Sequence, residues 1–496
     1  MATIIANKAV FPLVLTLDVG SSSIRTLLFD GLGRAVEGSL AVEGHCFESR
    51  AAGASVAAAE GLLERLFRCI DQTLAHCASV AGQIGAVACC TFVNNVCGVD
   101  EGGQVVVPLT TYADTRSAVE VAGLRADFEE AVLYQRTGCR FHPSYLPARL
   151  RWLARAEADS VARVRRWLSF GEYLELKLFG EAAVSYSVAS WSGLLNRHTL
   201  AWDEELIAQL PIESAQLYPL TDFGQPLQGL RTEFASRWAA LRDIPWFRTI
   251  GDGAAANIGS GCVSDQEVAL TIGTTSALRV VIEDEVPPVP DGLWCYRVDG
   301  RRSLLGGALS EGGNLFSWMK SRLQLDEIDD LNERLSALEP DQHGLTILPF
   351  LAGERSPGWA GEARATIHGL TLATTPLQML QAGLESVAYR LAQVFDLLQG
   401  QLTSQPHLIT SGGALRHASA WAQLISDVLG RPLLVSDVSE ASSRGVALLA
   451  LEALGTVRHL SELPVDIVTR YEPHQKRYQR YQEAIARQKE LYHLLV

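Results

Sequence analysis

A strand, a turn of small and hydroxyl residues and a returning strand occur twice in this chain, about 250 residues apart, and this repeat constrains the fold more than any other feature. In the first copy Leu13–Val19 predicts a strand, Gly20-Ser21-Ser22-Ser23 a turn, and Ile24–Phe29 the returning strand, closed by Asp30-Gly31-Leu32-Gly33. In the second copy the same parts are Val268–Ile272, Gly273-Thr274-Thr275-Ser276 and Ala277–Ile282. Aligning Gly20 with Gly273 sets LTLDVGSSS against VALTIGTTS. Two hairpins, one opening each half, predict a duplicated architecture. The copies differ at one telling position: Asp18 aligns with Thr271, so a carboxylate is kept on one side only.

The segments around the hairpins complete an α/β pattern. Ala57–Val80 and Glu120–Arg136 have amphipathic helical spacing. Pro376–Leu398 predicts a long helix, with Thr375 as cap and proline in its first turn. Ala418–Leu429 predicts a helix stopped by Gly430 and followed by the strand Pro432–Val435, and Tyr471–Val496 predicts a polar terminal helix. A chain of 496 residues is too long for one ordinary domain. We place two domains at 1–250 and 251–496, divided just before Gly251-Asp252-Gly253.

The net charge of −14 argues against nucleic acid or an anionic membrane as the main partner, but a nest of backbone N–H groups binds phosphate even on an acidic protein. Nine scattered cysteines without a CxxC pair predict reduced thiols in a cytoplasmic protein and no zinc site. The apolar stretch near the N-terminus is interrupted by Pro12 and ended by Asp18, which predicts a strand rather than a signal peptide.

Four segments carry residues that phosphoryl transfer needs: donors for phosphate oxygens, a carboxylate for Mg²⁺ or its waters, and a base for the attacking hydroxyl. Asp18 beside Gly20, Ser21 and Ser22 suits a metal and phosphate corner, and reads equally as a hairpin with a solvated Asp. Asp252 in Gly251-Asp252-Gly253-Ala254 is either a general base or a helix cap. Thr274 sits in a turn that either contacts phosphates or is a polar hairpin tip. Gly412 and Gly413, between Leu408-Ile409 and a helix, permit close backbone approach by a nucleotide. No Walker A loop or Rossmann fingerprint accompanies them. Asp114 and Arg116 in YADTR offer a grip for sugar hydroxyls or a surface salt bridge, and LAGERSP reads as a turn with an internal ion pair.

Taken in order, these segments resemble the FGGY family of carbohydrate kinases from about Leu13 to the C-terminus. The markers are LTLDVGSSSIRTLLFD, TYADTRS, SYSVASWSGLLN, IGDGAAANIGSG, LTIGTTSALRV, GGALSEGG, LPFLAGERSPGW, GLTLATTPLQMLQAGLESVAYRL, TSGGALRHASAWAQLISDVLG and EASSRGVALLALEALG. The resemblance implies two domains of the actin/Hsp70/hexokinase (ribonuclease H-like) type, with ATP and sugar meeting in the cleft and the domains closing around them. It implies Asp252 as base, Asp18 as the acid that places Mg²⁺ and phosphates, Thr274 as a phosphate contact, and Gly412 and Gly413 beside the nucleotide. Asp114 and Arg116 match a motif near the sugar. YADTR, GEYLELKLFGE and LPFLAGERSPGW look most like a gluconokinase branch. Three positions depart from the family pattern: Asn94 stands where many members have a substrate-contacting His, Tyr112 where Trp is commoner, and Arg149 where Lys is usual.

Three functions follow as expectations. One is phosphorylation of D-gluconate. The second is phosphorylation of another ketose or polyol, such as xylulose, ribulose or erythritol. The third is nucleotide-gated sensing on the same fold without transfer. The expected ligands are ATP, Mg²⁺ and a small sugar or sugar acid. The acid group would require a cation such as Arg116 or a helix N-terminus. The segment Tyr471–Val496 leaves a homodimer open.

Overall fold

The first hairpin pairs Leu13–Val19 with Ser23–Phe29 in antiparallel register, Val14 opposite Phe29 and Val19 opposite Ile24. The structure, a computed structural model, describes residues 3–50, 53–325, 327, 329–402 and 405–496. Every residue of Leu13–Val19 is buried, as a central strand covered on both faces requires. Ile84–Thr91 runs parallel beside it, and Ile250–Gly251 runs parallel beside Ile84–Thr91. Ala41–Gly44, Ala35–Val36 and Thr3–Ile4 complete a seven-stranded sheet on the far side of the hairpin.

The second sheet repeats this order. Glu267–Ile272 and Ser276–Glu283 form the hairpin, and Arg302–Leu309 extends it antiparallel. His407–Thr410 lies parallel beside Glu267–Ile272, and Leu433–Ser436 lies parallel beside His407–Thr410. The duplicated α/β architecture anticipated from the hairpins is therefore the one the chain adopts, with its sheet strands mixed in direction.

Three cores hold the layers together. One packs Ala59–His76 and Phe170–Phe179 on the outer face of the first sheet. Another packs Pro376–Gln399, Ser419–Leu429 and Gln475–Leu495 on the second. The third lies between the sheets, where Val14 and Phe29 of the first share apolar contacts with Val281 and Leu304 of the second through Ala254, Ile258, Val446 and Leu449. The two helices in this middle layer, Asp252–Gly259 and Ala441–Ala453, cross backbone to backbone. A Cβ on Gly259 would stand 1.8 Å from the Ala441 carbonyl oxygen, and one on Gly445 would stand 1.8 Å from that of Ala255. Only glycine fits at either place.

Local signals succeed where they are strong. Thr375 and Gln378 form a capping box on Pro376–Gln399, and Gly430, left-handed at φ 61°, ends Ser419–Leu429. Three expectations need correction. The continuous helix predicted over 120–136 is broken: Val121–Asp127 stops at the extended Phe128, and Glu130–Thr137 starts anew. Phe128 leaves the helix to meet Phe141, and Glu130 accepts the Phe141 N–H at 2.7 Å. The helix predicted over 57–80 is shorter, Ala59–His76, because Ala54–Ala57 is a strand. The predicted terminal helix begins only at Gln475, because Ile467–Tyr471 pairs as an edge strand with Leu433–Ser436. Its buried side chains, Tyr481, Ala484, Ile485 and Gln488, face its own domain. Among the described residues, no helix is long and apolar enough to cross a membrane.

Candidate active site

Parallel strands bring their carboxyl ends to one edge of a sheet, where ligands of α/β proteins gather. At the first sheet Asp18, Cys90 and Ile250 stand level across three adjacent strands. Asp18 and Asp252 therefore emerge at the same edge. Asp18 is buried, and the Ser443 hydroxyl of Ala441–Ala453 donates to its Oδ2 at 3.4 Å. Burial pushes the Asp18 carboxyl up to about 6 against the pull of Arg25, with Glu440 pushing further.

Asp252 is the first residue of Asp252–Gly259, and its Oδ1 accepts the N–H of Gly253 at 2.7 Å. The glycines on either side exist because Trp191 passes close by. A Cβ on Gly251 would be 2.8 Å from the indole Nε1, and one on Gly253 would be 3.2 Å from the ring. Burial and the negative charge of Asp18 push the Asp252 carboxyl up to about 7, while the Gly253 N–H and Arg279 pull it down. A carboxyl poised near neutrality is what a general base requires.

The second sheet supplies the facing groups. Gly273, Thr274 and Thr275 are exposed at the hairpin tip, and the Asn314 N–H fixes the Thr274 carbonyl at 3.1 Å. His407–Thr410 is in register with Glu267–Ile272, which brings Gly412 and Gly413 to the same edge. Gly412 is left-handed at φ 86° with open space where a Cβ would be. Ser411 meets Ser260 at 2.6 Å, joining this edge to the end of Asp252–Gly259. Arg279, on Ser276–Glu283, reaches across toward Asp252 and donates to Thr271 Oγ1 at 3.2 Å.

The residues anticipated on the sugar side are arranged differently from one another. Asn94, at φ 56°, donates through Nδ2 to the Trp191 carbonyl at 2.6 Å, and its own carbonyl accepts from Arg149 at 2.7 Å. It thus holds the backbone under Trp191. Asp114 and Arg116 form a bidentate pair closed on itself, with Nη2 to Oδ2 at 2.7 Å and Nε to Oδ1 at 3.0 Å. Asp114 also accepts the Ser55 N–H, and the Arg116 guanidinium lies 4.2 Å over the Trp152 ring. This is no loose surface bridge: Asp114 is only 3% exposed and Arg116 20%. LAGERSP does not form its expected internal pair, because Glu354 turns inward to Arg390 and to the Tyr492 hydroxyl at 2.7 Å.

An aromatic wall went unread in the sequence. Trp191 stacks on Tyr296 at 3.7 Å, Tyr296 on Trp294 at 4.4 Å, and the hydroxyls of Tyr145 and Tyr296 meet at 2.5 Å. His142 is held neutral, pushed down to about 3 by burial and by the charges of Arg355, Arg125 and Arg149. Only SYSVASW, already singled out, could have pointed to Trp191. Elsewhere Asp341, His343 and Glu385 cluster like metal ligands. Their atoms are already engaged, however: Glu385 accepts from His343, Gln381, Tyr389 and Tyr481, and Asp341 pairs with Arg487.

Two halves of a duplicated α/β fold, with carboxylates at the edge of one sheet and open glycine turns at the edge of the other, place the chain in the two-domain α/β class whose ligands gather at the strands' carboxyl ends. The N-terminal domain model of the FGGY family of carbohydrate kinases matches residues 13–259, and the C-terminal domain model matches 268–454. The chain belongs to that family. It is 26% identical over 457 residues to the gluconokinase of Bacillus subtilis, covering 90% of this chain and 88% of that protein. It is 29% identical over 500 residues to the apulose kinase of Pectobacterium atrosepticum, covering 96% and 98%. The crystal structure of ligand-bound xylulose kinase from Lactobacillus acidophilus superposes with a TM-score of 0.89 at 23% identity, covering 97% and 98% of the two chains.

Proposed function

We propose that this kinase transfers the γ-phosphate of ATP to D-gluconate, giving 6-phosphogluconate. The observation that carries the reading is Asp252, a carboxyl raised to about 7 at the cleft edge beside the Trp191 wall. Similarity to a gluconokinase over nine-tenths of the chain supports the sugar acid. Asp252 takes the proton of the substrate hydroxyl as that oxygen bonds to the γ-phosphorus and ADP departs. Trp191, backed by the buried Tyr296, is the member of the wall that lies against Gly251 and Gly253 beside Asp252, and Asn94 keeps Trp191 in place.

The donors fit a nucleotide and a metal. Gly273 and Gly412 have no atom within 4 Å of a would-be Cβ, so phosphates can approach the backbone of both turns closely, while the two glycines' own N–H groups are held by the Thr275 and Val438 carbonyls. Asp18, with Ser21 and Ser22 in the adjacent turn, would hold Mg²⁺ or its waters; a bound divalent ion supplies neutralising charge to the phosphates. Gly20, Thr274 and Gly413 complete the proposed nucleotide contacts. A ketose acceptor is the second reading, favoured by the similarity to an apulose kinase and by Asn94 engaging Trp191 rather than pointing free.

The test is ADP release measured with ATP and Mg²⁺ across gluconate and other sugar acids, xylulose, ribulose, apulose and polyols. Turnover led by gluconate upholds the reading. Turnover led by a ketose replaces the substrate and keeps the mechanism. ATP binding without turnover of any acceptor overturns it in favour of a sensor.

A further inference from the structure

We infer that Arg279 and Arg355 together form the subsite that receives the carboxylate of a sugar-acid substrate, an inference resting on the sugar-acid reading above. Both guanidinium groups carry an Nε that is shielded from solvent and without a hydrogen-bond partner. Among the described residues, neither forms a salt bridge. Arg279 is tethered only by Nη1 to Thr271, and its Nε lies 3.7 Å from where a Cβ of Gly253 would stand, beside Asp252. The chain neighbour of Arg355, Glu354, is turned the other way into Arg390 and Tyr492, leaving Arg355 without a counter-ion. Arg355 stands beside the aromatic wall: its carbonyl accepts the Trp359 N–H at 2.6 Å, and the Trp359 ring meets His142 at 5.5 Å.

Two like charges, each with a shielded and unpartnered Nε, are costly to keep without an anion. Burial holds Arg279 down to about 10, with Asp252 pulling it up and Arg355 pushing it down. An oxyanion between them relieves both, and guanidinium forks suit a carboxylate. The cleft also needs such a pair. With Asp18 and Asp252 on one lip of a chain of net charge −14, an acid substrate is repelled unless cations receive it. A neutral polyol would leave both arginines unpaired. Arg116, the cation anticipated for this task, is closed onto Asp114. The same chemistry could serve the transferring phosphoryl group. That group already has the open turns at Gly273 and Gly412, whereas Arg355 is placed beside Trp359 and His142.

The experiment compares wild type with Arg279→Gln, Arg355→Gln and the two Lys variants, using gluconate and its neutral analogue glucitol as acceptors. Binding of gluconate without nucleotide is measured in parallel by calorimetry. Loss of a charge-assisted contact predicts a KM and a Kd for gluconate raised about 10- to 100-fold in each Gln variant. KM for ATP stays within about threefold and preference over glucitol falls, with partial rescue by Lys. Gluconate KM and Kd within threefold of wild type in both Gln variants overturn the inference while leaving gluconate turnover intact. An equal fall of kcat for both acceptors at unchanged KM also overturns it, assigning the pair to the phosphoryl group. A wild type that phosphorylates neutral acceptors alone overturns the inference and the sugar-acid reading together.

Discussion

Replacing Asp252 by Asn is expected to inactivate the protein and to stabilise it, with the stabilisation growing as pH rises. In the folded chain the carboxyl is raised from 3.8 to about 7 by burial and by Asp18. A folded pKa above the unfolded one means that the native state holds its proton longer, so this group favours folding below pH 3.8 and progressively opposes it as pH climbs through about 7. At about 1.4 kcal/mol per unit, the cost is about 2 kcal/mol at pH 5 and about 4 kcal/mol at pH 8. Asn keeps an acceptor for the Gly253 N–H and has no charge to desolvate. Thermal melting should therefore show the variant above wild type by a margin that widens from pH 5 to pH 8, reaching about 4 to 8 °C. Turnover at pH 8 should fall by at least about 100-fold, the share of a positioned base. A melting difference independent of pH would refute the raised carboxyl, and near-normal turnover would refute its role.

In wild type, kcat/KM should rise with pH and level off above about 7, as ionised Asp252 is required; a flat profile from pH 5 to 8 would contradict this. Asp18→Asn should raise the Mg²⁺ concentration needed for half-maximal turnover, checked by titrating the metal at saturating substrates. Gly445→Ala should lower stability by more than about 3 kcal/mol, because its Cβ would overlap the Ala255 carbonyl, a rigid backbone atom; a denaturant midpoint like wild type would show that the helices separate freely. Asp114→Asn leaves the Arg116 guanidinium over Trp152 without its counter-ion and should cost about 3 to 5 kcal/mol in the same assay.

The sequence exposed what depends on neighbours in the chain. Both hairpins, the Thr375 cap and the placing of Asp252 at a helix start follow from turn chemistry and periodicity within a few residues. The break at Phe128 does not, because it is decided by Phe141 across a loop. The same limit hid part of the site. Arg279 reads as one polar residue in a strand, and only the packing of Ser276–Glu283 against the start of Asp252–Gly259 brings it to Asp252. Glu354 and Arg355 look like partners in sequence, but the choice of Arg390 by Glu354 was made by Pro376–Gln399, whose position no local pattern announces. Asp114 and Arg116 were visible as a pair, yet their enclosure by Ser55 and Trp152 was not.

The crossing of Asp252–Gly259 over Ala441–Ala453 has a consequence for how the cleft is gauged. Side chains that interdigitate can be exchanged for others of similar volume, so their spacing drifts among tolerated values. Here the separator is peptide against peptide, with Gly259 on Ala441 and Gly445 on Ala255. Those atoms are common to every residue type and cannot be resized. One of the two helices begins with Asp252, and the other supplies Ser443 to Asp18. The joint thus works as a fixed shim between the acid pair and the rest of the molecule, held to one thickness by the absence of two methyl-sized groups.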